Sequence, residues 1–259
     1  MIALIGDIGN TNTKICLIET KNFKVKKIIN FHSDKINSNI FLKKKFKGII
    51  KNSHVNKFSL FSSVVPRYFL NLKKFLKKKY GMQIKEIKEK NINKLVKINI
   101  RKKNQVGSDR IANAVGAYKK YKTNTIVLDF GTATTFDIVT KNGSYNGGII
   151  APGVNLSLKS LVKSADQIPI FSIKKQNKII GKNTVEALRS GFYWGYVGLI
   201  NNIVSKIEME TKKKYKIIFT GGYANLFKTS IIRPFKVDKN ITIDGIIEIF
   251  KKNKKYLNK

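Results

Sequence analysis

The chain of 259 residues carries 52 Lys+Arg against 15 Asp+Glu, a formal net charge of +37, with 42% hydrophobic and 10% aromatic residues. That apolar content supports a packed core and excludes a disordered chain, and the length suits one to two domains. Every apolar run is broken by Lys, Asn or Gly well short of the roughly 18–20 residues a membrane span needs, which excludes an integral membrane protein.

Residues 2–8 and 14–19 are apolar runs around the polar turn Gly9-Asn10-Thr11-Asn12, the pattern of strand, turn and strand. A third strand fits 23–31, where Phe23, Val25, Ile29 and Phe31 alternate with polar residues. Residues 58–65 read as a buried strand, and Pro66 starts a helix with Phe69, Leu72, Phe75, Leu76 and Tyr80 at helical spacing. A second helix over 109–121 places Ile111, Ala114, Val115 and Tyr118 on one face. From 125 the meander begins again with TIVLDF, the turn GTATT, FDIVT and a third strand at 144–150. Helices follow at 154–163 and 184–209, then a strand from Lys216 to Phe219, a short helix after Gly222 and a last helix over 242–252. Strands alternating with helices give an α/β or α+β class. Asp7-Ile8-Gly9-Asn10-Thr11-Asn12-Thr13 and Asp129-Phe130-Gly131-Thr132-Ala133-Thr134-Thr135 match in Asp, Gly and the final Thr at the same place in the unit, so internal duplication into two similar lobes, 1–120 and 121–259, is expected.

Each repeated unit places an Asp at a strand end, a Gly for a tight turn, and hydroxyls and backbone N–H groups facing outward. The Asp suits a hard cation such as Mg²⁺, the turn lets N–H donors approach phosphate, and Lys14 adds a point charge. One copy could be an ordinary hairpin; two point to a nucleotide held between similar lobes. The sequence lacks G-x-x-x-x-G-K-[ST], a G-x-G-x-x-G after a strand and G-x-S-x-G, so P-loop, dinucleotide-fold and α/β-hydrolase readings fall. His32 and His54 have no Cys, Asp or Glu at zinc-ligand spacing. In Val106-Gly107-Ser108-Asp109-Arg110, Ser108 or Asp109 could merely cap the next helix. The chemical reading makes Asp109 a proton acceptor for a substrate hydroxyl and Arg110 an anchor for an anionic group. Gly191, Gly195 and Gly198 read as helix packing.

The basic excess consists of 47 Lys and only 5 Arg, alongside 38 Ile and 26 Asn, all but Arg being residues of A/T-rich codons. The guanidinium fork used for base and phosphate readout is scarce, and the clusters at 43–47, 73–79, 119–122, 212–216 and 251–255 read as solvated surface that steers small anions. Nucleic acid is not an expected partner. The single cysteine, Cys16, cannot form an intramolecular disulfide, and MIALIGD has no signal-peptide character, so a cytoplasmic setting is expected.

Taken together, these motifs resemble the type III pantothenate kinases of the acetate and sugar kinase, heat-shock ATPase and actin superfamily. The resemblance runs in order through residues 7–14, Gly107-Ser108-Asp109-Arg110, residues 129–137, Gly147 to Gly153, Gly181-Lys182-Asn183-Thr184, Thr220-Gly221-Gly222 and Ile241-Thr242-Ile243-Asp244-Gly245. It implies two actin-like (ribonuclease H-like) lobes, each a mixed sheet flanked by helices. It further implies ATP-dependent phosphorylation of the primary hydroxyl of pantothenate to 4′-phosphopantothenate, the first step of coenzyme A biosynthesis. By that likeness Asp109 is the general base. Asp7, Ile8, Gly9, Asn10, Thr11, Asn12, Thr13, Lys14 and Thr132 bind ATP. Gly107, Ser108, Asp109, Arg110 and Thr184 contact pantothenate. Asp129 holds a monovalent cation, K⁺ or NH₄⁺, Asp7 holds Mg²⁺ through water, and the protein is a homodimer. The alternatives are a kinase of another small hydroxy acid and a nucleic-acid-binding regulator on the same fold. Where the family has an aromatic residue and Asp-Asn-Pro before the glycine motif, this chain reads Ile100-Arg101-Lys102-Lys103, which removes a ring contact to substrate, and Ser108 stands where Ala is common.

Overall fold

The computed structural model describes residues 1–50, 55–89, 95–228 and 232–253, so His54 and the end of the 251–255 cluster lie outside the described residues. It divides into two compact units, and neither is a simple half of the chain. The first takes residues 1–120, 143–145 and 240–259; the second takes 121–142 and 146–239.

In the first unit the apolar runs pair as β1 (Ile2–Ile8), β2 (Asn12–Glu19) and β3 (Val25–His32), an antiparallel meander. The strands β4 (Phe58–Ser63) and β5 (Gln83–Glu86) extend it in parallel, giving the order β3-β2-β1-β4-β5. Between β4 and β5 runs α2 (Pro66–Tyr80). Pro66 begins it, and Gly81, at φ 64°, ends it in the left-handed conformation that glycine adopts without a Cβ clash. Its buried stripe of Phe69, Leu72, Phe75 and Leu76 packs with Leu42 and Phe46 of α1 (Asn39–Lys47) over Leu4, Ile8, Ile15 and Phe61 of the sheet. α6 (Ile241–Lys252) packs on β1 and β4, with Phe250 stacked on Phe58 at 5.7 Å between ring centroids. α6 also meets α3 (Ser108–Tyr121) where two glycines coincide: a Cβ on Gly116 would stand 3.1 Å from the Gly245 backbone nitrogen. Glycine in the closing Ile241-Thr242-Ile243-Asp244-Gly245 motif is thus explained by helix packing, and Thr242 Oγ1 donates to Asn113 Oδ1 at 2.7 Å beside it.

The second unit repeats the plan. β7 (Thr125–Phe130) and β8 (Ala133–Val139) form a hairpin, β9 (Ser144–Pro152) follows, and β10 (Lys216–Gly221) and β11 (Phe235–Val237) add in parallel on the other side, in the order β11-β10-β7-β8-β9. Read from the meander outward, 3-2-1-4-5 and 9-8-7-10-11 are the same topology, the architectural form of the duplicated motif. α4 (Val154–Ser164) precedes the 28-residue α5 (Thr184–Thr211), whose Tyr193, Tyr196, Val197, Ile200 and Val204 pack with Ile126, Leu128, Phe130 and Phe219 of the sheet and with Phe227. No described helix is long and apolar enough to cross a membrane.

Three sequence expectations change in detail. The segment after Gly222 forms turns rather than a short helix. α1 and the short β5 and β11 emerge where Lys-rich or very short stretches carry too little periodicity to be seen. The two-residue β6 (Lys97–Ile98) pairs with Ser144 and Tyr145 at the start of β9.

Candidate active site

The β1–β2 turn is closed by Gly9 N–H donating to the Asn12 carbonyl at 3.0 Å, which leaves Asn10, Thr11 and Asn12 exposed at its tip. Antiparallel register sets Asp7 opposite Lys14, and parallel register sets Ser62 of β4 beside Asp7 on the other side. Directly opposed residues share one face of a sheet, so carboxylate, ammonium and hydroxyl lie in a row. Ser62 is fully buried and its Oγ has no hydrogen-bond partner. Two residues of this motif point inward. Ile8 is a core side chain, and buried Thr13 shares a 2.8 Å hydrogen bond with Ser33, whose own hydroxyl donates to the Gly9 carbonyl at 2.7 Å. Thr13 and Ser33 brace the turn from beneath.

The β7–β8 turn is tighter, closed from Gly131 N–H to the Ala133 carbonyl at 3.0 Å, with Gly131 and Thr132 exposed. Asp129 lies opposite Thr135 and beside Thr220 of β10. Thr135 Oγ1 is buried and has no hydrogen-bond partner. Gly221, at φ 85°, brings backbone close to this carboxylate: a Cβ there would sit 2.7 Å from Asp129 Oδ1 and 2.6 Å from Phe130 N and O. Gly153 does similar work under the turn, where a Cβ would meet the Gly131 carbonyl oxygen at 2.7 Å. No cluster of three or more His, Cys, Asp or Glu suited to a metal ion occurs among the described residues. Each Asp therefore fits a cation that takes its other ligands from hydroxyls, backbone, water or a bound phosphate.

The third component is the start of α3. Ser108 Oγ donates to the Ser63 carbonyl at 3.1 Å, tying the helix start to the end of β4, so it does not cap its own helix. Asp109 Oδ1 accepts from Arg110 N–H at 2.8 Å, and its carboxyl lies back over Gly107, where a Cβ would be 2.5 Å from Oδ1. Glycine at 107 is required by that carboxylate. Burial pushes the Asp109 carboxyl above the usual carboxylate range, while the Arg110 backbone N–H and guanidinium and the Lys88 ammonium draw it partly back. The Arg110 guanidinium rests 5.9 Å from the ring centroid of buried Tyr145. In Gly181-Lys182-Asn183-Thr184, Asn183 Oδ1 accepts from Glu186 N–H at 2.9 Å while the Glu186 carboxylate accepts from Lys182 N–H and Asn183 Nδ2, a reciprocal cap that leaves Thr184 exposed on the first turn of α5.

Within the first unit, then, the structure gathers a phosphate-type hairpin and a desolvated carboxylate, and the second unit holds a matching hairpin. Sequence matching agrees. The family model for type III pantothenate kinases matches residues 3–206. A type III pantothenate kinase of Pelagibacter ubique is 51% identical over 245 residues, covering 94% of this chain and 96% of the relative. Another, from Caulobacter vibrioides, is 39% identical over 196 residues, 75% of each chain. The chain belongs to the type III pantothenate kinase family. As a member it is a kinase that phosphorylates pantothenate with ATP in coenzyme A biosynthesis. Among solved structures, the ethanolamine utilization protein EutJ from Carboxydothermus hydrogenoformans superimposes with a TM-score of 0.59 at 15% identity, over 95% of this chain and 89% of that one. That likeness, with a TM-score of 0.52 to MreB 5 of Spiroplasma citri over 98% of this chain and 97% of that one at 13% identity, identifies the fold as actin-like.

Ser62, Glu86, Lys88 and Tyr145 were not assigned from the sequence, and only tertiary packing brings them beside the motif residues. From the sequence Thr135 reads only as the end of the 129–135 turn, expected with residues 7–14 to hold nucleotide phosphates; that it faces Asp129 could have been found by asking what lies opposite each Asp.

Proposed function

We propose that Asp109 is the general base of pantothenate phosphorylation, accepting the proton of the primary hydroxyl as that oxygen attacks the γ-phosphorus of ATP. The observation that carries this reading is the Asp109 carboxyl itself: desolvated, folded over Gly107, and held at the start of a helix beside Arg110. Desolvation raises a carboxylate's basicity toward the range useful at neutral pH. Arg110, with Gly107 and Ser108, holds the acid end and backbone of pantothenate, and Thr184 contributes from α5. ATP phosphates are held by residues 7–14, with Lys14 the fixed charge, and Thr132 contacts the nucleotide from the β7–β8 turn.

Asp7 holds Mg²⁺ through water, supported by its place near the end of β1 beside the unbonded Ser62 hydroxyl. Asp129 holds K⁺ or NH₄⁺, supported by the unbonded Thr135 hydroxyl opposite it and the close Gly221 backbone. Bound cations offset the charge on the phosphoryl oxygens. The protein is a homodimer of the cytoplasm, a reading supported by the exposed Ile150, Leu156, Ile170, Ile179 and Ile180 of the second unit, apolar side chains that a partner copy could cover. Light scattering should then return twice the 29.4 kDa of the chain, and a mass of one chain would remove the dimer.

Asp109→Asn decides the central role. It should lower kcat by about 10²- to 10⁴-fold, the usual worth of a positioned base, with ATP affinity unchanged. In the wild type the rate should fall as pH drops through the raised Asp109 pKa. A carboxyl whose folded pKa is raised costs stability once ionised, so the Asn variant should melt no lower than wild type at pH 7–8. Near-normal turnover by Asp109→Asn would show that another group takes the proton.

A further inference from the structure

The turn after β5 carries a carboxylate and an ammonium that the reaction as described does not use. Glu86 ends β5, opposite Phe61 of β4. Its Oε2 accepts from Lys88 N–H at 2.7 Å, its Oε1 is buried without a hydrogen-bond partner, and the carboxyl lies against the Ser108 hydroxyl and the Ser63 backbone. Lys88 is thereby held at its backbone, and its Nζ reaches the Asn104 carbonyl at 3.2 Å in the loop that leads into Gly107. A second clamp fixes the same turn: Glu86 N–H donates to Glu89 Oε1 at 3.0 Å, and Glu89 pairs with Lys85 at 3.1 Å. An otherwise solvated lysine is therefore tied at both ends, between β5 and the loop ahead of the proton acceptor.

We propose that Lys88, set in place by Glu86, is a positioning residue for phosphoryl transfer: it orders the 101–106 loop ahead of Gly107 and supplies a positive charge that faces Asp109. The charged groups around Asp109 support the assignment. α3 itself contributes Arg110, whose guanidinium is already engaged over Tyr145; the neighbouring end of β4, Ser63 and Val64, is uncharged; and the β5 turn contributes Glu86 and Lys88. Without Lys88 the balance on that side becomes negative, with half-buried Glu86 beside Ser108 and no ammonium to offset it. Burial and this ammonium act in opposite directions on the Asp109 carboxyl, so the lysine adds a smaller share to the stabilisation that Arg110 gives the ionised base.

This role presupposes Asp109 as the proton acceptor, and the experiment separates the two. The pH dependence of kcat/KM for pantothenate is measured at fixed low ionic strength for wild type, Lys88→Met, Lys88→Arg, Lys88→Glu, Glu86→Gln and Asp109→Asn. Removing the charge moves the acid limb of Lys88→Met to higher pH. Its kcat/KM at pH 6 falls about twofold to fivefold, and the deficit closes toward pH 9, since an exposed ammonium exerts a screened, modest field. Lys88→Glu exceeds that loss, Lys88→Arg restores the wild-type profile, and raised salt shrinks the differences. Glu86→Gln keeps an acceptor for the Lys88 N–H but removes a negative charge from that side, so its acid limb moves to lower pH, and an acid limb moved to higher pH would overturn the balance. An equal loss at every pH in Lys88→Met and Lys88→Glu, a raised pantothenate KM with an unmoved acid limb, or no change in either variant would overturn the role of Lys88. If instead Asp109→Asn retained turnover, the proton acceptor would be misassigned.

Discussion

The hairpins β1–β2 and β7–β8 carry the same Asp at the same register point of the same sheet topology, and they surround it with opposite chemistry. Asp7 faces an ammonium, Lys14, across the ladder; Asp129 faces a hydroxyl, Thr135. On the parallel side both have a hydroxyl neighbour, Ser62 for Asp7 and Thr220 for Asp129. One residue beyond those neighbours, β4 places Ser63 where β10 places Gly221. A carboxylate opposed by an ammonium is largely neutralised in place, and the row presents positive charge suited to phosphate. A carboxylate among hydroxyls, with backbone brought in by a glycine, offers oxygen alone, the donor set of a hard cation. On the reading proposed above, duplication supplied two similar turns, and a lysine in one and a threonine in the other divide phosphate and Mg²⁺ binding from monovalent-cation binding.

The largest expected effect comes from removing the lysine. Lys14→Met takes away the charge proposed to hold the phosphates, and losses of this kind cost about 2.7–4 kcal/mol of transition-state stabilisation, so kcat/KM for ATP should fall about 10²- to 10³-fold. A drop under tenfold would show that the turn's backbone carries the phosphates alone. Next comes the reciprocal change. Thr135→Lys puts an ammonium opposite Asp129, as Lys14 stands opposite Asp7, and should replace the monovalent cation. Turnover without K⁺ or NH₄⁺ should rise above that of the wild type under the same conditions, with added K⁺ giving no further stimulation. Persistent K⁺ activation of Thr135→Lys would move the cation away from Asp129.

Much of the likeness between the two hairpins was readable in the chain, because it is local. An Asp, a Gly and a Thr repeated at one spacing inside two meanders revealed the duplication, and alternation of strands and helices gave the α/β or α+β class. The apolar stripe of α2 and the lysine at position 14 were likewise visible. What stayed hidden depends on registry between distant segments. Ser62 lies beside Asp7 only because β4 inserts in parallel next to β1, a pairing across more than fifty residues. Thr13 looked like a ligand for phosphate, yet hydrogen-bonds to Ser33 because a strand alternates its faces. Glu86 and Lys88 sat in a Lys-rich stretch with no periodicity, and only the short β5 carries them to the start of α3. Gly181 makes room for the first turn of α5, where a Cβ would meet Ala187, a contact that only the folded chain reveals.

The smallest effects test the one backbone difference between the two sites. Gly221 holds a φ of 85° and its absent Cβ leaves 2.7 Å to Asp129 Oδ1, whereas Ser63, at the equivalent place, uses its hydroxyl only to accept from Val65 N–H and donate to Val65 O, both at 3.2 Å. An alanine at 221 must take a left-handed conformation and push on the carboxylate, at about 1–3 kcal/mol, whereas Ser63→Ala forfeits weak local bonds worth about 0.5–1.5 kcal/mol. For a chain of this size 1 kcal/mol corresponds to about 2–4 °C, so Gly221→Ala should lower Tm by roughly 2–12 °C and Ser63→Ala by roughly 1–6 °C. The discriminating readout is the cation. Gly221→Ala should raise the K⁺ concentration needed for half-maximal activity while leaving KM for ATP near its wild-type value, and Ser63→Ala should leave K⁺ dependence untouched. If both variants shifted K⁺ dependence equally, the cation would not be held by the β7–β10 side alone, and the division of labour between the two hairpins would fail.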